Sequence, residues 1–378
     1  MLGIDPRSIV LLAGVMGLLM SLVLFVLRRN YPPSIQGLSE WAAGPFLCFI
    51  STLLFGARGF IPDFMSAVIG NLFLLSGSAL FFIGSQRFLG QPPSLRLWGG
   101  VILASAPVFA WFVLLHPNYI ARLVVFTCLM AWLFFSHARL LFKHGANHIF
   151  TQLTGGVLLL QTGFLLLRMV AILIEGNAEG IFDTSPFQVI YIVAYALCVL
   201  LLSIGVVLMA TERLRGEFEY LATHDTLTAC LTRRALIDAC EQELERNRRH
   251  GHSMALMMMD LDYFKSINDG HGHLVGDQVL VDFVDRVRQQ LRLPDRLGRF
   301  GGEEFVLLLP ETTRDNALLV AERIRASRSQ VAGLPVCSVS IGIATPQRDS
   351  DTLDKLLARA DQALYRAKHL GRDRVEAA

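Results

Sequence analysis

What most constrains this chain is a succession of apolar stretches, each about as long as the ~20 residues that a helix needs to cross a bilayer. They fall at approximately 8–27, 39–57, 63–84, 97–116, 119–137, 151–174 and 187–210, separated by short polar breaks. Segments of this length predict an α-helical transmembrane bundle of about seven spans, since a helix satisfies its own backbone groups inside hydrocarbon. Composition agrees: 53% of the residues are hydrophobic and 17% charged, with a mean hydropathy of +0.47, too apolar for an ordinary soluble chain. Charged residues recur from Thr211 onward, so the expected boundary lies near residue 210, with 1–210 as a membrane region of sensory type. The first stretch ends in Arg28-Arg29 and lacks a small-residue cleavage site, which marks a retained span rather than a signal peptide.

Orientation follows from the distribution of basic residues. With the N-terminus outside, the inner side holds Arg28, Arg29, Arg87, Arg96, Arg139, Lys143, Arg213 and Arg215, against Arg7, Arg58 and Arg122 outside. The loop with Glu175, Glu179 and Asp183 also falls outside, and the C-terminal part is expected in the cytoplasm beneath a bacterial-type inner membrane. Arg168 lies within the sixth stretch, where an unpaired charge is costly, so it faces the bundle interior: either it lines a sensing site or it pairs structurally. Gln161 and Asn71 pose the same choice. His137, His144 and His148 lack Cys or carboxylate company and are expected in an ordinary loop region rather than a metal site. The six cysteines show no metal spacing and are expected to be reduced thiols. A formal charge of +2 gives no global basic field, so no nucleic-acid partner is expected.

After the last span, Leu214, Phe218 and Leu221 fall at four- and three-residue intervals, the pattern of a short coiled-coil seam or of a helix packed on the next domain. Residues 211–222 are therefore a helical linker, and 223–378 a second domain in which helical and strand patterns alternate. Helices are expected from Thr232 to about Asn247, over Leu274–Leu291, over Ala317–Ser327 and over Leu353–His369. Strands are expected at Ser253–Met259, as a pair within Arg299–Leu309 around Gly301-Gly302, and at Cys337–Ala344. The order predicts an α/β (α+β) domain, a mixed sheet with helices largely on one face.

Chemistry gathers where strands end. Met257-Met258-Met259 runs straight into Asp260-Leu261-Asp262, a costly place for two carboxylates unless a cation sits there. Glu303-Glu304 follows a diglycine expected to make a tight hairpin with positive backbone angles and to let a ligand approach. Strand alternation sends the two glutamates to opposite sides, so one is free to join Asp260 on a metal. Oxygen donors without His or Cys favour Mg²⁺ or Mn²⁺ over zinc. Lys368 and Arg372, four residues apart at a helix end, would reach one phosphate group if Gly371 does not break the turn first, or would simply complement the helix dipole. Asn268 and Asp277 flank a Gly- and His-rich segment and offer an amide and a carboxylate to a base edge.

Read together, residues from about Leu221 to Val375 resemble the GGDEF-domain family of diguanylate cyclases. The motifs are Asp225-Thr-Leu-Thr, Arg233-Arg234, Asp260-Leu-Asp-Tyr-Phe-Lys-Ser-Ile-Asn-Asp269, Gly272-His273, Gly276-Asp277, Arg299-Phe-Gly-Gly-Glu-Glu-Phe305, Ser338-Val-Ser-Ile-Gly342, Ala360-Asp361-Gln-Ala-Leu-Tyr365, Lys368 and Gly371-Arg372. The resemblance implies a fold like the nucleotidyl-cyclase palm and condensation of two GTP into cyclic di-GMP by a homodimer, with one GTP bound per domain. It implies a metal site from Asp260, the backbone of Leu261 and Glu303, with Glu304 assisting a second metal or the attacking hydroxyl. Asn268 and Asp277 match the guanine contacts; the backbone around Tyr263, Phe264 and Lys265 matches the terminal-phosphate region, with Lys368 and Arg372 as phosphate cations, and Gly301 and Gly302 admit the nucleotide. Arg292 and Asp295 match a product-inhibition site, with Arg323 as a further contact; plain turn residues are the alternative.

The departures are Ala229, Cys230 and Thr232 where the family usually has Gly, Leu and Asn around that turn, His271 for an aromatic, Asp373 for Asn, and Glu303 for the Asp of the family's name. Ala229 and Thr232 put the turn and helix start in question, although Thr232 is a competent N-cap. Rival readings are a catalytically inactive membrane receptor for GTP or cyclic di-GMP and a transporter with a regulatory domain. No phosphodiesterase domain is expected, as Ala378 follows soon after the motifs.

Overall fold

The computed structural model describes residues 6–146, 148–175, 186–329, 331–347 and 351–378, and the chain divides into two units, Met1–Arg215 and Gly216–Ala378. Glu179 and Asp183 of the expected outer loop lie outside the described residues.

The first unit is helical. Among the described residues, 7 helices are long and apolar enough to cross a membrane: Arg7–Asn30, Leu38–Gly56, Phe64–Phe88, Leu95–Leu115, Tyr119–His144, Ile149–Ile174 and Gln188–Thr223. We label the helical elements α1 (Pro6–Asn30), α2 (Leu38–Gly56), α3 (Gly70–Phe88), α4 (Leu95–Ala110), α5 (Tyr119–His144), α6 (Ile149–Glu175) and α7 (Pro186–Thr223). Short π-helical stretches, Phe64–Ile69 and Trp111–Leu115, begin α3 and extend α4. Polar groups buried in this unit find one another: the Trp41 indole donates to the Phe81 carbonyl (3.2 Å), and His137 Nε2 meets Ser85 Oγ at 2.8 Å. His137 is therefore a core residue of α5 rather than part of a loop, and His148 faces Glu212 at 3.4 Å.

The second unit is built on one six-stranded mixed sheet ordered β1-β3-β4-β2-β5-β6. The strands are β1 (Leu231–Thr232), β2 (Met254–Leu261), β3 (Arg296–Arg299), β4 (Glu304–Pro310), β5 (Val339–Ala344) and β6 (Val375–Ala377). The helices are α8 (Arg233–His250), α9 (Phe264–His271), α10 (His273–Arg288), α11 (Arg314–Ala326) and α12 (Leu353–His369). β2 is central, antiparallel to both β4 and β5, and every one of its residues is buried. That burial corrects the expectation of helices largely on one face. Ala255, Met257 and Met259 pack with Phe283 and Val284 of α10 and Ala321 and Ile324 of α11. Met254, Leu256 and Met258 pack with Leu236 and Cys240 of α8 and Leu356 and Leu364 of α12. Both sides of the strand are covered, which is why it reads as a continuous apolar run instead of an alternation.

Two local features decide how the sheet carries side chains. Gly342 on β5 lies so close to α12 that a methyl group there would overlap the backbone of Ala360 and Leu364. α12 thus lies directly on the sheet, which brings its C-terminal residues above the end of β2. The turn before β1 closes through Asp225 N to Cys230 O (2.7 Å) and Ala229 N to Asp225 O (2.8 Å), with Ala229 at φ 53. The turn therefore forms without glycine but holds an alanine in the left-handed region, and Thr232 still caps α8 by accepting from Ala235 N. Replacing Ala229 by Gly is expected to stabilise the protein by about 0.5–1 kcal/mol, net of the extra freedom of an unfolded glycine, in denaturant unfolding followed by circular dichroism.

Candidate active site

The site starts at the end of β2. Asp260 and Asp262 leave the strand as neighbours, and the structure separates their tasks. Asp262 is fully engaged: its carboxylate accepts from Ser338 Oγ (2.7 Å), Ser340 Oγ (2.7 Å) and the Asp373 amide (3.1 Å), tying β2 to β5 and to the segment after α12. No cation is needed there, contrary to the reading of both carboxylates as demanding one. Asp260, also buried, instead meets the Lys368 ammonium at 2.8 Å and stands in register with Glu304 on β4. Burial raises the Asp260 carboxyl above its ordinary range; Lys368 opposes this by hydrogen bond and charge, while Glu303 and Glu304 push it further up. Three acids thus share a neighbourhood with one ammonium.

That surplus of negative charge, made only of oxygen donors, suits a divalent cation held by Asp260 and Glu303. The fit is one of charge and donor type. Among the described residues no three His, Cys, Asp or Glu side chains stand together as a ready-made metal cage. Glu304 is exposed and lines a cleft of about 390 Å³ with Asp361, Tyr365 and Lys368.

Beyond Asp262 the chain turns sharply through Tyr263 at φ 56 and enters α9, an element absent from the sequence-based assignment, which began its helix at Leu274. The Tyr263 carbonyl accepts from Ser266 N (2.9 Å) and Ile267 N (3.3 Å). As first-turn groups of a helix, the amides of Phe264 and Lys265 remain for an anion. Arg372 lies over the Tyr263 ring at 4.6 Å and donates to its hydroxyl at 3.3 Å. Gly371 (φ 115) does end α12, so Lys368 and Arg372 engage different groups, Asp260 and Tyr263, rather than converging as one helical pair. Asp373, the departure beside Arg372, is held by Arg325 and Arg328, each at 3.2 Å.

α9 and α10 meet at Gly272, and their contact sets Asn268 against Gly276 of α10. A methyl group on Gly276 would overlap the Asn268 amide oxygen and touch Phe264, so the absence of a side chain at 276 is what lets Asn268 lie against the residue next to Asp277. Asp277 itself is exposed.

The hairpin from β3 to β4 carries Gly301 and Gly302 without positive φ at either, correcting the expected backbone angles. A clamp sets its shape instead. Arg299 donates from Nε (3.0 Å) and Nη2 (2.8 Å) to the Gly302 carbonyl and from Nη1 to Asp225 Oδ1 (3.2 Å). Asp225 Oδ1 also accepts from Thr228 N (2.9 Å) and Thr228 Oγ1 (2.6 Å). Burial works against the Asp225 charge, but the Thr228 bonds and Arg299 outweigh it and hold the carboxyl below its ordinary range. Sequence reasoning quoted Asp225 and Arg299 only as motif members; an Asp and an Arg 74 positions apart give no local signal of pairing.

Residues 222–374 match the family model described as "Diguanylate cyclase, GGDEF domain". The crystallised GGDEF domain of TpbB (YfiN) from Pseudomonas aeruginosa is 35% identical, with 98% of that chain and 40% of this one covered (TM-score 0.38). The chain belongs to the GGDEF-domain family. Diguanylate cyclase DgcM of Escherichia coli K12 is 43% identical over 169 residues, 44% of this chain, which spans 41% of that relative's length. The active GGEEF domain of a diguanylate cyclase from Vibrio cholerae is 30% identical, with 96% of that chain and 39% of this one covered (TM-score 0.37).

Within this GGDEF domain the Arg292 and Asp295 pair lies on the loop between α10 and β3. Asp295 Oδ2 accepts from the Arg292 amide at 2.7 Å, so the acid closes the turn, while the Arg292 side chain is exposed. Arg323 of α11 reaches the same loop through the Gln290 carbonyl at 3.5 Å. A cavity of about 530 Å³ opens beside them, lined by Arg246, Arg292 and Arg296 with Glu243. His271 is exposed, and the structure gives no reason for a His there.

Proposed function

We propose that the chain is a membrane-anchored diguanylate cyclase that condenses two GTP into cyclic di-GMP and two pyrophosphates, with residues 1–210 spanning an inner membrane as a sensory region, 211–222 as linker and 223–378 as the catalytic domain in the cytoplasm. The observation that carries the reading is the acidic neighbourhood of Asp260, made with Glu303 and Glu304, of which the exposed Glu304 lines a cleft that Lys368 also lines.

In this reading each domain holds one GTP. Asp277 and Asn268 accept and donate at the guanine edge, the amides of Phe264 and Lys265 receive the terminal phosphates, Arg372 adds charge there, and Gly301-Gly302 leave room for the nucleotide. Asp260, the Leu261 carbonyl and Glu303 would hold Mg²⁺ or Mn²⁺, which when bound lowers the pKa of the 3′-hydroxyl and offsets charge on departing pyrophosphate. Lys368, paired with Asp260 at 2.8 Å, would exchange that carboxylate for phosphate oxygens of bound nucleotide. Glu304 orients the 3′-hydroxyl and helps remove its proton. The oxygen of each nucleotide attacks the other's α-phosphorus as the bond to pyrophosphate breaks, so two domains must face each other.

Pairing is supported by α7, which leaves Phe218 and Leu221 61% and 54% exposed; Leu214 instead packs on the first unit's core and does not belong to that exposed face. Replacing Phe218 and Leu221 together by Glu is expected to lower cyclic di-GMP production, and unchanged turnover would count against the pairing role. Arg292, exposed beside the Arg246 and Arg296 cavity, supports feedback by the dianionic product. Arg292→Ala should lose product inhibition in initial-rate assays while keeping uninhibited turnover.

The deciding experiment incubates the full chain in lipid nanodiscs with GTP and Mg²⁺ and looks for cyclic di-GMP by mass spectrometry. Nucleotide binding without product would favour the receptor reading.

A further inference from the structure

The helical unit buries positive charge around a half-open cavity. A cavity of about 60 Å³ is lined by Arg58 after α2, Asn71 of α3, Tyr119 and Arg122 of α5, Arg168 of α6 and Tyr191 of α7. Arg122 and Arg168 are only 7% and 5% exposed. Among the described residues Arg168 is positioned by neutral groups: Nε donates to Gln188 Oε1 (2.8 Å), Nη2 to the Tyr119 hydroxyl (3.2 Å), and the guanidinium lies 4.3 Å from the Tyr191 ring centroid. Arg122 has the Tyr119 ring at 5.5 Å and no ion pair among the described residues. Asp63 meets Arg58 at 3.7 Å but is itself 72% exposed, so it is a loose, solvent-facing partner.

Guanidinium groups in an apolar bundle are retained where something neutralises them or where they serve a ligand. Here three line one cavity with a single, solvent-facing carboxylate among the described residues, and their hydrogen-bond partners fix orientation without cancelling charge. We infer that this cavity is a binding site for a small organic carboxylate, whose oxygens would lie between Arg122 and Arg168 with Asn71 and Tyr119 as neutral partners. The buried space, about 60 Å³, has room for a few heavy atoms, which suits a short carboxylate. The rest of the wall is Phe55, Ala67, Leu74, Leu123 and Phe126, which would cover a short hydrocarbon chain and would leave an all-oxygen anion such as phosphate facing apolar surface. Tyr191 and Gln188 belong to α7, the same helix that continues to Thr223, so occupancy bears directly on the segment leading to the GGDEF domain. Control of turnover through α7 rests on the cyclase reading; the binding site does not.

The test uses the full chain in phosphatidylcholine nanodiscs and radiolabelled propionate in equilibrium dialysis, with the thermal midpoint read in parallel. Saturable propionate binding that raises the midpoint is expected. Affinity should fall about tenfold or more in Arg122→Gln, and also in Arg58→Gln, whose side chain is 25% exposed and which is therefore the safer variant for folding. Absence of saturable binding, an equal midpoint rise with chloride or phosphate, unchanged affinity in both variants, or binding seen only when anionic lipid is added would each overturn the assignment. Binding with no change in cyclic di-GMP production would keep the site and remove only its role in control.

Discussion

Glu304→Ala in the full chain is expected to cut cyclic di-GMP formation by roughly 10²–10³-fold or more, the scale seen when one preorganised group acting on transition-state charge is removed. The side chain is exposed at the start of β4 and makes none of the hydrogen bonds that hold the hairpin, which come from Arg299, the Phe300 amide and backbone pairing with Asp260. Folding and GTP binding should therefore persist. Calorimetric titration with GTP and circular dichroism check this beside the rate. Loss of rate with retained binding places Glu304 in the chemical step; a rate within a few-fold of the parent would remove it from that step.

Asp277→Asn is expected to raise KM for GTP by about 10²-fold or more and to erode the preference over ATP. A carboxylate accepts two N–H donors from guanine; an amide presents one acceptor and one donor, so one guanine N–H faces another donor. The change is isosteric and lies at an exposed position of α10, which keeps the core of Val279, Phe283 and Val284 intact. The measurement is kcat/KM for GTP with ATP as competitor. A uniform fall in kcat with unchanged KM would place Asp277 elsewhere than at the base.

How much of this was legible in the residues depended on range. The seven apolar helices and α12, whose bounds Leu353–His369 match the periodic pattern, declare themselves locally through length and spacing. α9 did not, because its eight residues carry the polar turn chemistry of a loop and its helicity depends on Tyr263 turning left-handed at the strand end. Asp260 and Asp262 look alike in one dimension; only the hydroxyls of Ser338 and Ser340, which reach Asp262 across the sheet, leave Asp260 as the acid that meets Lys368. Gly301 and Gly302 suggested unusual backbone angles, yet the hairpin owes its form to a guanidinium anchored far away in sequence. The helices on the sheet's second face were hidden for a related reason: a strand buried on both sides has no alternation to reveal which side a helix will choose.

The link from Asp225 through Arg299 to the Gly302 carbonyl lies wholly inside the unit that begins at Gly216. In evolutionary terms it is a fitting that comes with the domain. A lineage could exchange the seven helices for any other input ending in an α-helix and inherit the hairpin already set. Arg299 could not be exchanged for lysine on the same terms, because one ammonium cannot span an acid on one side and a carbonyl on the other in a fixed plane.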